Sequence, residues 1–295
     1  MGSFSSVVAS RDNEKTIEQA LESLRNNGSE EIMLVDGGSS DKTLEKALKY
    51  KEVKIVRGIK GIARAKDLGW RSSNKTFVLF LDADAYITRS TVSRLFTLLK
   101  DPNVAGVACR VGCANRNKLL PRLKDFYFQQ IYAERFKSSD VAECDADPTI
   151  CGLFKKSMLE YIDGYDVKYP YAEDLKLLSK FRDKGLKVLM VRYPVVYHYH
   201  REDSRGVYLQ HYLHGYGKGL LNSELDGRGE KAISLNSIIS YLKRITRVAV
   251  KGNFSTFLLY PAYLVFIEFA FRLGYLRSLR DAHTLSARAL SIVES

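Results

Sequence analysis

The sequence contains few cysteines, and they form no recognisable pairing pattern. Its four cysteines are irregularly spaced and include no C-x-x-C pair. A small disulfide-stapled scaffold is therefore excluded, because such scaffolds need a dense cysteine framework. We expect buried free thiols, with a structural zinc site or a disulfide as less favoured alternatives.

Three further features are missing. No G-x-G-x-x-G segment opens a helix, which argues against a hydride-transferring dinucleotide enzyme. No basic leader precedes the first strand-like run at residues 4–9, so we expect the catalytic part to stay in the cytosol. No nucleic-acid reader module is recognisable, which makes nucleic acid the least expected partner.

Positive charge is in excess. The chain has 46 Lys and Arg against 34 Asp and Glu, a formal net charge of +12. This excess implies an anionic partner, which could be nucleic acid, a phosphorylated substrate or an acidic membrane surface. With 295 residues, 45% of them hydrophobic, the chain can bury one large core, with room for an appendage.

An apolar run that ends in two carboxylates is the centre of the sequence. Residues 77–81 are typical of a strand buried on both faces, and Asp82-Ala83-Asp84 follows. Ligands of open α/β sheets bind at this end of the strands. Acids two residues apart project to one side, where they can share a divalent cation and the diphosphate that it neutralises. The alternative is a polar strand end with helix-capping acids.

Strands and helices alternate through the first part of the chain. Strand-like runs at residues 5–9, 32–35 and 54–56 are each followed by a polar loop and a helical segment. This alternation predicts right-handed βαβ units and a parallel sheet. Asp36 ends the second strand, where it can accept hydrogen bonds from a base or ribose. Asp41 is predicted to cap the next helix.

Four motifs in this order resemble the family 2 glycosyltransferases of the GT-A fold. They are VASRDNE at residues 8–14, VDGGSSDKT at 35–43, GIARAKDLG at 61–69 and FLDAD at 80–84. The resemblance implies a Rossmann-like, mostly parallel central sheet flanked by helices. It departs from the family at Ser10, where Pro or Thr is common, and at Asp67, where Asn is usual.

The resemblance also implies a nucleotide-sugar site. The first loop and Asp36 would hold the base and ribose, and Arg64 with its helix would lie near the sugar or diphosphate. Asp82 and Asp84 would contact ribose, diphosphate and Mn²⁺ or Mg²⁺. The residues expected to bind the nucleotide sugar are Ser10, Arg11, Asp12, Asp36, Arg64, Lys66, Asp82, Ala83 and Asp84.

Residues 152–175 resemble the acceptor half of the family. The resemblance makes Asp174 the candidate catalytic base and places Gly152 and Glu173 on the acceptor side. The alternative is that both acids merely favour the positive end of the helix that follows. A histidine after a late strand joins the metal in the family, which favours His198, with His200 as the alternative. A purely structural histidine pair stays open.

Two other segments have weaker signals. A second D-x-D, at residues 145–147, stands in a loop before Pro148 and ranks below the first as a metal site. Tyr216-Gly217-Lys218-Gly219 is interpreted as a flexible basic turn that clamps phosphate, or as a simple helix break.

The C-terminal part changes character. A predicted amphipathic helix can lie in a membrane interface with its basic face among anionic headgroups. Its apolar residues are Ile238, Leu242, Ile245 and Ala249, and its basic residues are Lys243, Arg244, Arg247 and Lys251. The apolar stretch at 254–275 is interrupted by Pro261 and Glu268. It lacks the charge-free length of about 20 residues that a clean span needs, so we expect a monotopic, re-entrant or interfacial segment, or a homodimer interface.

These observations predict a GT-A catalytic domain at residues 1–230, with a nucleotide-binding half to about 110 and an acceptor half beyond it. Residues 231–295 would contact the membrane or a second copy. We expect an inverting, metal-dependent glycosyltransferase on the cytosolic membrane face that moves mannose from GDP-mannose to a lipid-linked acceptor. The donor follows from similarity to archaeal and dolichyl-phosphate-type mannosyltransferases.

Three alternatives are kept. The first is a UDP-sugar-dependent enzyme of the same family with a soluble acceptor. The second is a sugar-1-phosphate nucleotidyltransferase, whose glycine-rich N-terminal signature is missing here. The third is a non-catalytic binder of membranes or nucleic acid that uses the positive charge.

Overall fold

A computed structural model describes residues 2–169, 171–224 and 254–293. The predicted amphipathic helix around residues 236–251 and the predicted domain boundary at residue 230 lie outside the described residues. The chain divides into two compact units. Unit 1 comprises Met1–Asn115 and Ile131–Tyr199, and unit 2 comprises Arg116–Gln130 and His200–Ser295.

Unit 1 alternates strands with helices. Its strands are β1 (Phe4–Ser10), β2 (Glu31–Asp36), β3 (Val53–Arg57), β4 (Phe77–Leu81), β5 (Ala85–Ile87), β6 (Val104–Cys113), β7 (Val141–Glu143), β8 (Cys151–Lys155) and β9 (Lys187–His198). Its helices are α1 (Ile17–Asn26), α2 (Thr43–Ala47), α3 (Ile62–Arg71), α4 (Thr91–Leu98), α6 (Lys156–Tyr161) and α7 (Glu173–Asp183). Helix α5 (Leu119–Arg135) is assigned mainly to unit 2.

The strands form one sheet in the order β3-β2-β1-β4-β8-β6-β9-β5, and β7 also pairs with β9. Strands β3, β2, β1 and β4 are parallel, which confirms the parallel sheet predicted for this part of the chain. All six residues of β2 are buried, as expected of a strand covered on both faces. Beyond β4 the sheet is mixed, because β8 runs antiparallel to both β4 and β6.

Helix α3 packs closely on β1. A Cβ at Gly69 would overlap the side chain of Val7, so only glycine allows this approach. The helix buries Ala63, Lys66 and Trp70, which recur at helical spacing on one face. This packing brings a lysine, rather than another apolar side chain, to the edge of the sheet.

Strand β9 brings its C-terminal residues next to the segment that follows β4. The apolar runs at residues 186–191 and 194–199 each indicate a strand, and the structure joins them into one strand of 12 residues. It pairs parallel with β6 and antiparallel with β5, and the second pairing places Ala85 opposite His198.

Unit 2 is helical in its described residues, with part of α5, α8 (Ser204–Glu224) and α9 (Phe254–Val293). Its core contains Leu123, Phe126, Val207, Tyr260, Tyr263, Leu264 and Ile267. The predicted turn at residues 216–219 is wrong, because α8 is helical throughout. A Cβ at Gly215 would overlap the Phe271 carbonyl, and one at Gly274 would overlap the Tyr212 carbonyl. These glycines therefore permit close contact between α8 and α9.

Helix α9 continues through Pro261 and Glu268. By length and composition alone, Leu258–Asp281 could cross a membrane, with a mean hydropathy of 1.2 and 33% of its apolar window buried. Large apolar side chains are exposed along it at Leu258, Val265, Phe269 and Leu276. We call these four residues the α9 stripe.

Candidate active site

The two acids after β4 and a histidine at the end of β9 form one group, the metal-type group. His198 Nε2 lies 3.1 Å from Asp84 Oδ1 and 3.8 Å from Asp82 Oδ2. One ligand atom from each of the three residues lies within 4.8 Å of the others. Of the two candidate histidines, the structure places His198 in this group. The ring of His200 lies 5.7 Å from that of Phe128.

Backbone hydrogen bonds hold the metal-type group in place. Ala85 N donates to the Asp82 carbonyl at 3.0 Å, which closes a tight turn around the two acids. Tyr199 N donates to the Asp84 carbonyl at 2.8 Å. Because β5 and β9 pair in the register that sets Ala85 opposite His198, the imidazole reaches the acids without a long loop.

The donor set suits a hard divalent cation. Carboxylates are the preferred ligands of Mg²⁺ and Mn²⁺, and an imidazole can complete their coordination. Burial and the nearby Asp84 carboxylate raise the pKa of Asp82 to about 6, although Lys66 and His198 oppose this rise. An added positive charge would relieve the repulsion between the acids. The residues therefore fit the metal that the sequence predicts.

A second cluster surrounds the buried ammonium of Lys66 on α3. Lys66 Nζ donates to Thr149 Oγ1 at 2.8 Å, to Glu173 Oε1 at 3.2 Å and to Asp174 Oδ1 at 3.4 Å. Thr149 Oγ1 in turn donates to Asp174 Oδ1 at 2.6 Å. We call these four residues the lysine cluster. All three hydrogens of the ammonium have acceptors in it.

Burial and charge oppose each other in the lysine cluster. Burial lowers the pKa of Lys66, but Asp174, Glu173 and Asp82 together raise it well above its usual value. Burial raises the pKa of Glu173 to about 7, with Lys66 opposing and Asp174 adding to the rise. Because Asp82 acts on Lys66, the metal-type group and the lysine cluster are electrostatic neighbours in unit 1.

The hydrogen bonds of Asp67 show why this position holds an aspartate. Its Oδ1 accepts hydrogen bonds from Trp70 Nε1 at 2.8 Å and from Tyr165 N at 3.0 Å, and its Oδ2 accepts from Arg71 Nε at 2.8 Å. An asparagine amide nitrogen could not accept the arginine hydrogen bond. The second carboxylate oxygen thus orients Arg71, whose Nη2 donates to Asp163 Oδ1 at 2.7 Å in the loop at Gly164, where φ is 49°.

The loops after β1 and β2 are tied together. Asp12, with a φ of 54°, accepts hydrogen bonds from the backbone N and hydroxyl of Ser40 at 2.8 and 3.1 Å. Asp41 accepts from Thr43 N at 2.9 Å at the start of α2, which agrees with the predicted cap. It also accepts from Glu14 N at 2.9 Å.

Other residues that are predicted to bind the nucleotide sugar lie at the carboxyl ends of β1 and β2. Ser10 is buried at the end of β1, and Arg11 beyond it is exposed. Asp36 accepts hydrogen bonds from Gly38 N at 3.0 Å and from Ser39 N at 3.1 Å, so part of its capacity serves its own turn.

The remaining predicted residues have mixed surroundings. Arg64 is exposed on α3, and Ala83 is buried between the two acids. Gly152 lies in β8, where a Cβ would overlap the Pro148 carbonyl, so packing alone requires a glycine there. In the second D-x-D, Asp145 pairs with Arg135. Neither of its acids joins a group with metal-type spacing among the described residues.

Two residues of this site were not predicted: Thr149, which belongs to no sequence motif, and Tyr165, which lies within the acceptor-half resemblance but received no role there. Thr149 stands in the loop before β8 and is fully buried. Tyr165 is also buried, and burial together with Asp174 raises its pKa well above the usual value. The only sequence signal was the position of Thr149 just before an apolar strand, which does not distinguish it from other loop residues.

The sheet and its helices form a fold of the GT-A type. The chain belongs to glycosyl transferase family 2, whose family model matches residues 5–162. This confirms the resemblance drawn from the four motifs.

Sequence relatives differ in the sugars that they transfer. The chain is 23% identical over 198 residues to the O-antigen chain rhamnosyltransferase RfbN of Salmonella typhimurium, covering 60% of this chain and 59% of that protein. It is 25% identical over 167 residues to a poly-beta-1,6-N-acetyl-D-glucosamine synthase of Staphylococcus aureus, covering 54% and 40%. The chain thus spans about half the length of these relatives.

Solved structures of low identity share the fold. The mannosyltransferase PcManGT from Pyrobaculum calidifontis, in complex with GDP-Man and Mn²⁺, has a TM-score of 0.66 at 18% identity, covering 95% of this chain and 88% of that one. TarS of Staphylococcus aureus in complex with UDP-GlcNAc has a TM-score of 0.53 at 17% identity, covering 95% and 92%.

Proposed function

We propose that this protein is an inverting, metal-dependent glycosyltransferase that moves a sugar from a nucleoside diphosphate donor to a lipid-linked acceptor. GDP-mannose is the donor to test first, because PcManGT was solved with GDP-Man and Mn²⁺. UDP sugars are the rival donors, because TarS was solved with UDP-GlcNAc.

The observation behind this proposal is the pairing of two different acidic clusters at one sheet edge. The metal-type group offers one possible metal ligand from each of Asp82, Asp84 and His198. The lysine cluster offers Asp174, a carboxylate held beside an ammonium. The metal-type group suits the stabilisation of a departing diphosphate, and the lysine cluster suits the deprotonation of an attacking hydroxyl.

Each residue has a defined task in this reaction. Asp174 takes the proton of the acceptor hydroxyl as the oxygen attacks the anomeric carbon from the face opposite the diphosphate. The bond between that carbon and the diphosphate oxygen breaks, and its electron pair leaves with the diphosphate. Asp82, Asp84 and His198 would hold Mn²⁺ or Mg²⁺, which when bound supplies charge stabilisation to the leaving group.

The donor is bound by the loops around these clusters. Ser10, Arg11, Asp12 and Asp36 contact the base and ribose, and exposed Arg64 contacts the diphosphate. Lys66 acts through its charge, since its three hydrogens already have acceptors. Ala83, buried between the two acids, lines the donor side without a polar contact of its own.

The acceptor side lies around the lysine cluster. Glu173 borders the acceptor beside Asp174, and Gly152 leaves room under the loop that carries Thr149.

The exposed α9 stripe and the net charge of +12 support association with an anionic membrane surface on the cytoplasmic face. In this arrangement the protein is peripheral or monotopic and meets its acceptor in the lipid. The alternative to a membrane is a second copy of the chain, which would cover the α9 stripe in a homodimer.

A donor screen tests the proposal. Thermal shift is measured with GDP and UDP, with and without Mn²⁺, followed by turnover of GDP-mannose and UDP-GlcNAc. The double variant Asp82→Ala and Asp84→Ala should lose metal-dependent stabilisation and turnover, whereas Asp145→Asn, which alters the second D-x-D, should keep both. Full metal-dependent turnover in the double variant would contradict the proposal. Conversion of a nucleoside triphosphate and a sugar phosphate would instead show a nucleotidyltransferase.

A further inference from the structure

Thr149 carries a fully buried hydroxyl group that lies between the Lys66 ammonium and Asp174, the proposed base. It is 0% exposed. Its Oγ1 lies 2.8 Å from Lys66 Nζ and 2.6 Å from Asp174 Oδ1. The loop that carries it joins no catalytic motif, and the proposed reaction does not yet use it.

The direction of these hydrogen bonds follows from the chemistry of the groups. An ammonium has three hydrogens and no acceptor, so Lys66 must donate to the Thr149 oxygen. The single hydroxyl hydrogen of Thr149 is then left for the carboxylate of Asp174. Lys66 also donates to the same Oδ1 at 3.4 Å. Oδ1 of Asp174 therefore accepts from two donors, which matches the two lone pairs of a carboxylate oxygen.

The other oxygen of Asp174 is in a different position. Oδ2 has no hydrogen-bond partner among residues 2–169, 171–224 and 254–293, and the side chain is 13% exposed. We infer that Thr149 is a positioning residue that, together with Lys66, fixes Asp174 so that Oδ2 alone receives the proton of the acceptor hydroxyl. This role rests on the proposed function.

The step balances with this assignment. The acceptor O–H bond breaks, and its proton moves to Asp174 Oδ2. The acceptor oxygen forms a bond to the anomeric carbon, and the electron pair of the broken glycosidic bond leaves on the diphosphate. Thr149 transfers no proton, because its hydroxyl hydrogen stays bonded to its own Oγ1 and only donates a hydrogen bond to Asp174 Oδ1.

A purely structural hydroxyl would have a different signature. If Thr149 only satisfied buried polar groups, its loss would lower stability and reduce the apparent kcat by the same factor with or without the base, through the folded fraction. A positioning residue affects the turnover step and leaves donor binding unchanged. Its effect also requires that the base be present.

The test compares Thr149→Val, which keeps the shape, with Thr149→Ser, which keeps the hydroxyl. Both are made in the wild type and in Asp174→Asn. Turnover is measured with octyl mannoside as hydroxyl acceptor and the donor from the screen above that supports transfer. We expect Thr149→Val to lower kcat by about 10- to 100-fold, as loss of a hydrogen bond to a charged group implies. Donor KM should change by less than about threefold, and Thr149→Ser should retain kcat within about threefold.

The double variants distinguish a positioning role of Thr149 from a purely structural one. In the Asp174→Asn background, Thr149→Val should cost no further activity, because the base it positions is already lost. Equal losses in both backgrounds would overturn the positioning role. So would a wild-type kcat for Thr149→Val when Asp174→Asn is inactive, and this result would leave the proposed function intact.

Failure of the proposed function looks different. Full hydroxyl transfer by Asp174→Asn, or no transfer from any donor, contradicts that function and the positioning role with it. Thermal melting checks that each variant folds. If Thr149→Val does not fold, Thr149→Ala replaces it against the same serine variant, with the same expected split between kcat and KM.

Discussion

His198 Nε2 lies 3.1 Å from Asp84 Oδ1, although 114 positions separate the two residues in the chain. The contact depends on two neighbouring strands. Ala85, directly after Asp84, pairs with His198 across β5 and β9, and Tyr199 N donates to the Asp84 carbonyl at 2.8 Å. The imidazole and the acid are therefore fixed by backbone hydrogen bonds on both sides, which preorganises the metal-type group.

The two histidines should differ in metal binding. His198→Ala removes a member of the metal-type group, so Mn²⁺ affinity should fall by at least about tenfold. His200→Phe, a change beside the Phe128 ring, should leave Mn²⁺ affinity unchanged. Calorimetric titration with Mn²⁺ alone measures both. A loss for His200→Phe with none for His198→Ala would reverse the assignment.

Asp174→Asn should distinguish two kinds of acceptor. With a hydroxyl acceptor the variant loses its base, and transfer should fall by about 10²- to 10⁴-fold. A lipid phosphate is largely ionised at neutral pH, with a second pKa of about 6, and needs no base, so transfer to it should survive. Transfer to octyl mannoside and to a polyprenyl phosphate is compared.

Asp183→Asn, at the exposed far end of α7, is the matched control and should transfer to both acceptors. Wild-type transfer to the hydroxyl acceptor by Asp174→Asn would refute the base assignment.

Glu173 makes stability depend on pH. Burial raises the pKa of Glu173 from 4.5 to about 7, so the folded state holds this proton more tightly than the unfolded state does. Stability from the neutral form is present below pH 4.5 and is lost as pH rises toward 7. Glu173→Gln removes this loss of stability, because glutamine does not ionise. Relative to wild type, its free energy of unfolding should therefore rise by about 2 kcal/mol between pH 5 and pH 8.

Urea denaturation without metal at the two pH values measures this difference. Glu45→Gln, at an exposed site on α2, is the control and should show the same difference from wild type at both pH values. A rise no larger than in this control would show that Glu173 does not hold its proton in the folded state.

The α9 stripe should drive membrane binding. Val265 and Phe269 are 70% and 57% exposed, and each apolar side chain that enters lipid contributes about 1.5–3 kcal/mol. The double variant Val265→Glu and Phe269→Glu should lower partitioning onto phosphatidylglycerol-containing vesicles by at least about tenfold. Co-sedimentation measures this. Leu48→Glu, at a side chain 65% exposed in unit 1, is the control and should bind like the wild type.

Unchanged vesicle binding of the double variant, with a loss of dimers in sedimentation velocity, would instead assign the α9 stripe to a second copy of the chain.

Local patterns made much of this protein predictable. The apolar run at residues 77–81 and the two acids after it identify a buried strand and its carboxyl end, because strand periodicity and burial depend on neighbouring residues. The parallel direction of β3, β2, β1 and β4 follows from the alternation of strands and helices. The order of the four motifs identified the family, which the match over residues 5–162 confirms.

Long-range packing decided the rest. Lys66 lies 83 positions from Thr149 and 108 from Asp174, and no local pattern encodes their meeting. The glycines at 217 and 219 suggested a turn, yet the segment is helical, and Gly219 lies against Ser278 of α9, because tertiary packing outweighs a weak helix propensity. The sequence alone determined the strand that carries the acids and the family. Only the folded sheet and the packing of α3 decided which histidine, lysine and threonine reach those acids, because register and helix packing depend on contacts between distant parts of the chain.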